Sequence, residues 1–413
     1  MLHQQGKSSS KYSSIKKINT KNILNIIRKR GPISRSEIAE LSDLTPATIS
    51  NITSELIDKK LIVEAESGDS SGGRKPIMLR IRTDYYRVIG VYIGSMKVKI
   101  IAADLMANTK YKQEFDYGTE EVTPERIREI LDVEIRKIVK KYHAKGKKVV
   151  GIGIGIHGLV DPVRGVSIFA PNLRWKNVDV REAFEKELGI PVFVDNNTRT
   201  MGLGESWFGT GKNASSFFCL NVEYGVGGSL FIDDKAFSGA SFGAGEIGHT
   251  TVDVDGEICS CGNRGCLETI ASVKALLKFA YEGYEENKSS RIFNGKTIHS
   301  VRDIAPHDIF EAVKMGDSFA ISLIQRIGKN LGIGIANIIN IFNPELVIIN
   351  GEIISTGEFL LEPIIKTVRE KGFANSVNST EIVLSKLGNV AYLKGAIVLA
   401  TQHIFENPEL ILE

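Results

Sequence analysis

The 413-residue sequence has only four cysteines, two tryptophans and no uninterrupted apolar run long enough for a membrane helix. Four cysteines in a chain of this length do not have the pattern of a small disulfide-stabilised secreted domain. The longest apolar stretch, residues 331–349, is broken by Asn337, Asn340 and the Asn343-Pro344 pair, which predicts a buried helix followed by a strand. No signal-peptide pattern opens the sequence, so we expect a cytoplasmic protein that does not associate with membranes.

The small net charge of +3 conceals an asymmetry along the chain. Residues 1–80 contain fourteen Lys and Arg against eight Asp and Glu, whereas the remainder contains thirty-eight against forty-one. A basic amino-terminal module on a mildly acidic body indicates a polyanion partner for the first part only. The length predicts two or three domains.

One histidine and three of the four cysteines lie within eighteen residues. Thiolates with imidazole are the ligands that tetrahedral zinc selects, so we predict a zinc site formed by His249, Cys259, Cys261 and Cys266. Gly262 and Gly265 allow the tight backbone turns that bring the sulfurs together. Four protein ligands leave no open position, which makes the zinc structural. The alternative is that these are ordinary buried or disulfide cysteines, while Cys219 fits a buried strand.

The basic module has the pattern of a helix-turn-helix. An amphipathic helix is expected over about residues 21–30, and a capping box at Ser34 and Glu37 opens a short helix that buries Ile38 and Leu41. Thr45 caps a third helix with proline at its first position. We predict that this helix contacts DNA through Pro46, Ala47, Thr48, Ser50, Asn51 and Ser54.

Two strands should follow, at residues 61–64 and 77–81, joined by a β-wing with Arg74 and Lys75 at its tip. A basic wing tip is suited to a minor groove or to phosphates. Together with the local charge, the pattern favours double-stranded operator DNA as the partner. The alternative is a three-helix module that contacts protein.

Beyond residue 82 strands and helices alternate. A hairpin is expected over residues 88–92 and 97–104, a helix over 124–142 with Thr123 as its N-cap, and a buried strand over 149–154. Glycine-rich turns follow at Gly155 to Gly158, at Tyr224 to Gly228 and at Gly351. In this order they resemble the two-lobed ribonuclease H-like fold of sugar kinases and actin. The predicted fold class is therefore α/β, with a winged helix-turn-helix ahead of such a body.

The segment from Gly245-Glu-Ile-Gly-His249 to Cys266-Leu-Glu268 resembles the signature of the ROK family of repressors, open reading frames and kinases. Further matching segments begin at Gly151, Ala170, Val194 and Asn343. The resemblance covers about residues 82–400. With a winged helix in front, the chain is similar to the branch of xylose and N-acetylglucosamine repressors.

Family kinases hold a sugar in a cleft between two lobes. The resemblance implies sugar contacts by six residues on matching segments: Asn172, Asn196, Asn197, Glu246, His249 and Glu268. Amides and carboxylates at fixed points suit the alternating hydroxyls of a carbohydrate. The structural alternatives are that Glu246 caps a loop and that Glu268 is a charge at a helix N-terminus.

The chain departs from the kinase pattern at three places. Where family kinases have a catalytic aspartate this sequence has Asn197, which cannot act as a base. The first phosphate loop carries Tyr92 and Met96 in place of an aspartate and a threonine, and the second carries Glu223, which would repel phosphates. We therefore expect no catalysis.

These features predict a sugar-responsive transcriptional regulator that represses carbohydrate-utilisation genes, without phosphotransfer. A mono- or disaccharide effector would release a homodimer, or a tetramer, from its operator. The alternatives are an active ATP-dependent sugar kinase carrying a DNA-binding domain, and a repressor that responds to a phosphosugar or a protein.

The expected domains are a disordered arm over residues 1–18, a winged helix over 19–81, a smaller lobe over 82–200 plus 388–413, and a larger lobe over 201–387. The larger lobe would contain the zinc site and the dimer contacts.

Overall fold

The computed structural model describes residues 5–65, 76–94, 97–117 and 123–408. Its contacts divide the chain into two compact units, Met1–Asp195 with Ala396–Glu413, and Asn196–Gly395. The first unit thus contains the winged-helix residues as well as an α/β body, and its borders lie five and eight residues from the predicted lobe boundaries at 200 and 388.

The amino-terminal part of the first unit is a winged helix-turn-helix. Ile23, Leu24, Ile38, Ile49 and Leu56 are buried between its helices. A small sheet has the strand order β1-β3-β2. The elements are α1 (Gln5–Arg30), β1 (Ile33–Ser34), α2 (Arg35–Ser42), α3 (Pro46–Asp58), β2 (Ile62–Ala65) and β3 (Met78–Ile81).

Local sequence signals explain where these helices begin. Ser34 and Glu37 form the predicted capping box of α2, and the Thr45 side chain accepts the Thr48 N–H at the start of α3. Both predicted caps are confirmed, because each side chain satisfies a backbone donor that the first helical turn leaves unpaired.

Two predictions for this module are wrong. Helix α1 starts at Gln5, so residues 5–18 are helical where a disordered arm was expected. Lysine is a good helix former, and Lys16 pairs with Glu55 of α3 at 2.7 Å, which ties this turn to the module. Leu41 is 55% exposed, because α2 ends at the next residue and only Ile38 of this helix is buried.

The α/β body of the first unit has a five-stranded sheet of order β11-β7-β4-β5-β6, in which β4 runs parallel to β7 and antiparallel to β5. Thr123 caps α4 as predicted. The elements are β4 (Tyr86–Ile93), β5 (Lys97–Ala103), β6 (Thr109–Asp116), α4 (Pro124–His143), β7 (Lys148–Ile156), β8 (Leu159–Asp161), β9 (Val166–Ala170), β10 (Trp175–Asp179), α5 (Val180–Leu188) and β11 (Val192–Asn196).

The second unit has a five-stranded sheet of order β14-β13-β12-β15-β16. Strand β13 runs antiparallel to both of its neighbours, β12 and β14. Strand β15 runs parallel to β12, and β16 runs parallel to β15. The elements are α6 (Asn197–Phe208), β12 (Ser216–Val222), β13 (Val226–Ile232), β14 (Lys235–Ala236), α7 (Glu268–Ala271), α8 (Val273–Glu282), α9 (Pro306–Lys314), α10 (Ser318–Phe342), β15 (Leu346–Asn350), α11 (Glu358–Lys371), α12 (Ala374–Ser379) and β16 (Glu381–Leu384). The last helix, α13 (Val390–Glu406), begins in this unit, and its residues from Ala396 onward belong to the first unit.

Numbered within its own sheet, each unit has the strand order 3-2-1-4-5. This is the duplicated arrangement expected of the predicted ribonuclease H-like body. The apolar stretch that the asparagines interrupt forms the end of α10 and strand β15, as predicted. Among the described residues, no helix is both long and apolar enough to span a bilayer.

In the first unit, the carboxyl-terminal part of α13 lies directly on β7. A Cβ atom on Gly153 would be 1.8 Å from the carbonyl oxygen of Ala396, so only glycine fits there. Farther along α13, His403 stacks on Phe193 with ring centroids 4.2 Å apart. At the end of the helix, Glu406 pairs with Lys21 of α1.

Candidate metal centre and effector site

The four predicted metal ligands meet at one point in the second unit. The ligand atoms of His249, Cys259, Cys261 and Cys266 all lie within 4.8 Å of one another. Gly262 and Gly265 have φ values of 95° and 68°, so the turns between the cysteines use the backbone region that favours glycine. The structure therefore brings together the set that the spacing predicted.

The spacing of the donor atoms fits one tetrahedral ion. Bonds of about 2.3 Å at tetrahedral angles put two sulfurs about 3.8 Å apart, and the sulfurs of Cys261 and Cys266 are 3.7 Å apart. The Nδ1 atom of His249 lies 3.6 Å from the sulfur of Cys259. A disulfide needs about 2.05 Å, and the four cysteines are free thiols.

The thiols differ in how readily they ionise. Burial, together with the neighbouring cysteines, raises the pKa of Cys266 to about 12. The backbone N–H of Asn263 lowers the pKa of the exposed Cys261. Three sulfurs this close cannot all carry negative charge without a cation among them, so the arrangement is suited to a metal.

His249 presents its two ring nitrogens to different neighbours. Nδ1 faces the cysteine cluster, whereas Nε2 lies 3.9 Å from a carboxylate oxygen of Glu246. The second nitrogen of a metal-binding histidine usually contacts a carboxylate or another polar group. The histidine therefore links the cluster to Glu246.

Strand β13 holds the surrounding polar residues in place. The carboxylate of Glu268 accepts the N–H of Val226 at 3.0 Å. The N–H of Gly228 donates to the carbonyl of Gly245 at 2.9 Å, next to Glu246. The carboxylate of Glu268 thus supports the turn before β13. Glu268 is also the first residue of the four-residue helix α7, which agrees with the alternative that it is a charge at a helix N-terminus.

The start of α6 packs against the same strand. Thr198 donates its hydroxyl to the carbonyl of Gly228 at 3.2 Å, and Ser229 donates to the carbonyl of Thr198 at 2.9 Å. Asn196 caps α6 by accepting the N–H groups of Thr198 and Arg199, a structural task that the sequence analysis missed.

Asn197 is 5% exposed. The hydroxyl of Thr200 donates to the backbone carbonyl of Asn197 at 2.8 Å. The side-chain amide of Asn197 is not among the described polar groups that are both fully buried and without a partner. An amide offers a donor and an acceptor, so Asn197 is suited to contact a bound molecule.

Glu246 has both acidic and basic neighbours, which act on the pKa of its carboxyl in opposite directions. Partial desolvation raises the pKa of its carboxyl even though half of the side chain is exposed, His249 and Arg199 lower that pKa, and Glu268 raises it. Arg199 is 2% exposed and donates from Nη1 to the carbonyl of Phe242 at 2.8 Å. This arginine was not among the predicted site residues, although it is the single charged residue in the otherwise uncharged run 197–204.

The remaining predicted sugar contact, Asn172, belongs to the first unit, in a short 3-10 helix formed by Pro171–Leu173. The five others belong to the second unit.

The predicted DNA-contacting residues form one face of α3. Pro46, Ala47, Ser50, Asn51 and Ser54 are exposed, and Thr48 is half-buried because it contacts Thr45. Ile49, Ile52 and Leu56 on the other side are buried. Arg74 and Lys75 lie outside the described residues.

Side chains pack against the two turns that the sequence analysis matched to kinase phosphate loops. The ring of Tyr92 lies over Gly94, where an added Cβ would be 2.7 Å from the ring. In the second unit, the hydroxyl of Tyr392 lies 2.5 Å from the Asn221 side-chain oxygen and 3.3 Å from the Glu223 carboxylate. Met96 lies outside the described residues.

The ROK family sequence profile matches residues 88–403. The chain belongs to the ROK family. A winged helix-turn-helix DNA-binding profile matches residues 17–63, so this ROK protein combines the family body with a DNA-binding domain, as predicted.

Relatives match almost the whole chain. A xylose repressor from Caldicellulosiruptor bescii is 35% identical over 96% of this chain and 99% of its own length. A solved ROK family transcriptional regulator, a homologue of the Escherichia coli MLC protein, is 29% identical, covers 97% of this chain and 100% of its own, and superposes with a TM-score of 0.85.

A kinase also resembles the body. A ROK glucokinase from Streptomyces griseus, solved with glucose and AMPPNP, is 30% identical over 76% of this chain and 99% of its own, with a TM-score of 0.68. The similarity to the regulator thus includes the winged helix, whereas the similarity to the glucokinase covers about the extent of the body.

Proposed function

We propose that the protein is a sugar-responsive transcriptional repressor of carbohydrate-utilisation genes. One observation carries the proposal: a winged helix and a ROK body occur in one chain that matches named repressors from end to end. The alternative, an active sugar kinase with a DNA-binding domain, agrees less well with the three altered kinase positions.

On the DNA side, the repressor contacts double-stranded operator DNA through the exposed face of α3 and the wing. Short polar side chains such as Ser50 and Asn51 can approach base edges, and a basic wing tip can approach phosphates. The remaining contacts come from Pro46, Ala47, Thr48, Ser54, Arg74 and Lys75.

On the effector side, a mono- or disaccharide contacts Asn196, Asn197, Glu246, His249 and Glu268 of the second unit. Asn172 of the first unit is the sixth residue that the family resemblance implies for the sugar. The support differs among them. Asn197 lies at the start of α6 with an amide that offers a donor and an acceptor, and Nε2 of His249 faces Glu246. Asn196 and Glu268 already accept backbone N–H groups, so their contribution to sugar binding is the smaller one.

The metal is a structural zinc held by Nδ1 of His249 and the sulfurs of Cys259, Cys261 and Cys266. One imidazole and three thiolates suit zinc, and four protein ligands leave no position for a reacting water. The role of the zinc is to fix the loop that carries His249 beside Glu246.

The protein binds its sugar effector without phosphorylating it. Phosphoryl transfer needs a carboxylate to accept the proton of the attacking hydroxyl, and Asn197 offers an amide. Tyr92 covers the first phosphate loop, and Glu223 places negative charge at the second.

Regulation requires a homodimer, or a tetramer built from dimers. Two winged helices must meet successive major-groove faces of a palindromic operator. Sugar binding shifts the equilibrium to a form in which the spacing of the two recognition helices no longer matches, and the operator is released.

The test measures DNA and sugar together. A thermal-shift screen of monosaccharides and disaccharides identifies the effector, because a bound ligand stabilises the folded state. Operator affinity, measured by fluorescence anisotropy, should fall when that sugar is added. Arg74→Ala should weaken operator binding and leave sugar affinity unchanged; unchanged DNA affinity would remove the wing from the interface.

A coupled assay with ATP, magnesium and the same sugars distinguishes the kinase. We expect no turnover. Turnover that Asn197→Ala abolishes would contradict the regulator-only function. Calorimetry with unphosphorylated and phosphorylated sugars would show whether a phosphosugar is the effector.

A further inference from the structure

Arg199 is a buried cation beside the candidate effector site. It lies in α6, two residues after Asn197, and 2% of its surface is exposed. A guanidinium withdrawn from water to this degree must be held by hydrogen bonds and neighbouring negative charge. Its Nη1 donates to the carbonyl of Phe242 at 2.8 Å, four residues before Glu246.

The segment that accepts this bond is under conformational strain. Phe242 has a φ of 64°, in the left-handed region that aromatic residues rarely adopt. Such conformations persist where the surroundings over-determine them, and they cluster at ligand-binding segments. The segment, residues 238–246, is closed by a hydrogen bond from the N–H of Ala244 to the carbonyl of Ser238 at 3.2 Å.

We infer that Arg199 is a positioning residue for effector recognition, whose buried guanidinium holds residues 238–246 in the conformation that places Glu246 beside Nε2 of His249. The inference rests on the proposed sugar-sensing function. Because α6 begins at Asn197 and Arg199 contacts Phe242, a single side chain fixes the helix that carries Asn197 relative to the segment that carries Glu246.

The test compares Arg199→Met with Arg199→Lys in the full-length protein. D-xylose, D-glucose and N-acetyl-D-glucosamine are the probes, and calorimetry measures their affinity. We expect Arg199→Met to weaken the sugar that binds best by at least about tenfold, a difference of about 1.4 kcal/mol. Arg199→Lys keeps the charge and a donor, so it should lose less. Zinc content and sugar-free operator affinity should not change.

Glu205→Gln is the matched control for a loss of stability. Glu205 is buried in the same helix, but it accepts hydrogen bonds from Ser385 and from the N–H of Thr210, away from Phe242. This variant should lower the melting temperature and leave sugar affinity unchanged. An equal loss of affinity in Glu205→Gln and Arg199→Met would reduce Arg199 to a structural residue and overturn the inference.

A double-mutant cycle with Glu246→Gln tests the route of the effect. If Arg199 acts by placing Glu246, adding Arg199→Met to Glu246→Gln should weaken sugar binding much less than it weakens the wild type. Full additivity contradicts the inference. Hydrogen exchange across residues 238–246 should also accelerate in Arg199→Met without sugar, and unchanged exchange would contradict it as well.

The outcomes separate this inference from the proposed function. If none of the three sugars binds the wild type, the sugar-sensing function fails for these probes, and the role of Arg199 fails with it. If the wild type binds and Arg199→Met binds equally well, only the role of Arg199 fails. If Arg199→Met does not fold, the affinity and hydrogen exchange of Arg199→Lys decide.

Discussion

Cys261 is the exposed member of the proposed zinc site, whereas Cys259 and Cys266 are buried. Substituting it with serine replaces a thiolate with a poor zinc ligand and leaves the apolar surroundings intact. We expect the bound zinc to fall from about one ion per chain to a minor fraction. The melting temperature should fall as well, because metal binding contributes directly to folding free energy.

Metal content by mass spectrometry and the melting temperature by calorimetry check this prediction. Cys219→Ala is the control, since Cys219 is buried in β12 and lies outside the cluster. It should retain its zinc. A chelator should lower the melting temperature of the wild type and have little effect on Cys261→Ser; equal sensitivity would argue against the assigned ligands.

At single positions, sequence reasoning succeeded where spacing determines the geometry. Cys259, Cys261 and Cys266 lie close together along the chain, so their meeting could be predicted. Arg199 and Phe242 are separated by 43 positions, and their contact depends on how α6 packs against β13. The capping role of Asn196 was missed because the start of α6 was not predicted.

At the scale of elements, Gly153 sets the distance between β7 and α13. An alanine there would place its Cβ 1.8 Å from the carbonyl of Ala396, so backbone would have to move. We expect Gly153→Ala to destabilise the protein by about 1–3 kcal/mol or more. Urea unfolding measures the difference.

The same strand provides the control. Gly151 lies two residues earlier on β7, and its added Cβ would meet Ala400 at an ordinary 3.4 Å. Gly151→Ala should change stability little, because both residues face α13 but only one lacks room. Equal destabilisation by the two variants would mean that the loss of glycine from the strand, and not the close approach of α13, causes the loss of stability.

The capping box of α2 gives a pH-dependent prediction. Hydrogen bonds from the hydroxyl and N–H of Ser34 lower the pKa of Glu37 below 4.5. Because the folded-state pKa is the lower one, the stabilisation is present above pH 4.5 and is lost as pH falls through the lowered value. Ser34→Ala should therefore cost about 1 kcal/mol at neutral pH, and less in acid.

Urea unfolding of Ser34→Ala and wild type at neutral and acidic pH checks this. Ser36→Ala controls for the loss of a hydroxyl from the same turn, since the Ser36 hydroxyl lies 3.0 Å from the Ser34 hydroxyl and takes no part in the capping box with Glu37. A destabilisation independent of pH would show that the carboxylate takes no part.

Elements with strong local signals were predictable. The box at Ser34 and Glu37 and the N-cap at Thr123 mark helix starts whatever the tertiary context. The early start of α1 could not be predicted, because residues 5–20 have little apolar periodicity. Their helix is supported by an ion pair with a residue distant in the sequence, Lys16 with Glu55. The exposure of Leu41 has the same cause, because tertiary packing decides which apolar residue is covered.

At the scale of the whole molecule, the proposed dimer predicts a fixed operator geometry. Two recognition helices bind half-sites one helical turn apart, about 10 base pairs. Sedimentation should give twice the mass of one chain. Inserting about 5 base pairs between half-sites turns one to the opposite face of the duplex and should abolish cooperative binding, and inserting about 10 should restore part of it. Equal binding to all three DNAs would contradict the symmetric dimer.

The ion pair between Lys21 and Glu406 has a practical consequence for experiments on DNA binding. Both side chains are more than a third exposed, so dissolved ions screen their attraction. Raising ionic strength therefore loosens the contact between α1 and α13 at the same time as it displaces the protein from phosphates. The slope of DNA affinity against salt concentration therefore combines the two effects. The same slope measured on Lys21→Met lacks the ion pair, so it reports the salt dependence of the DNA contacts alone.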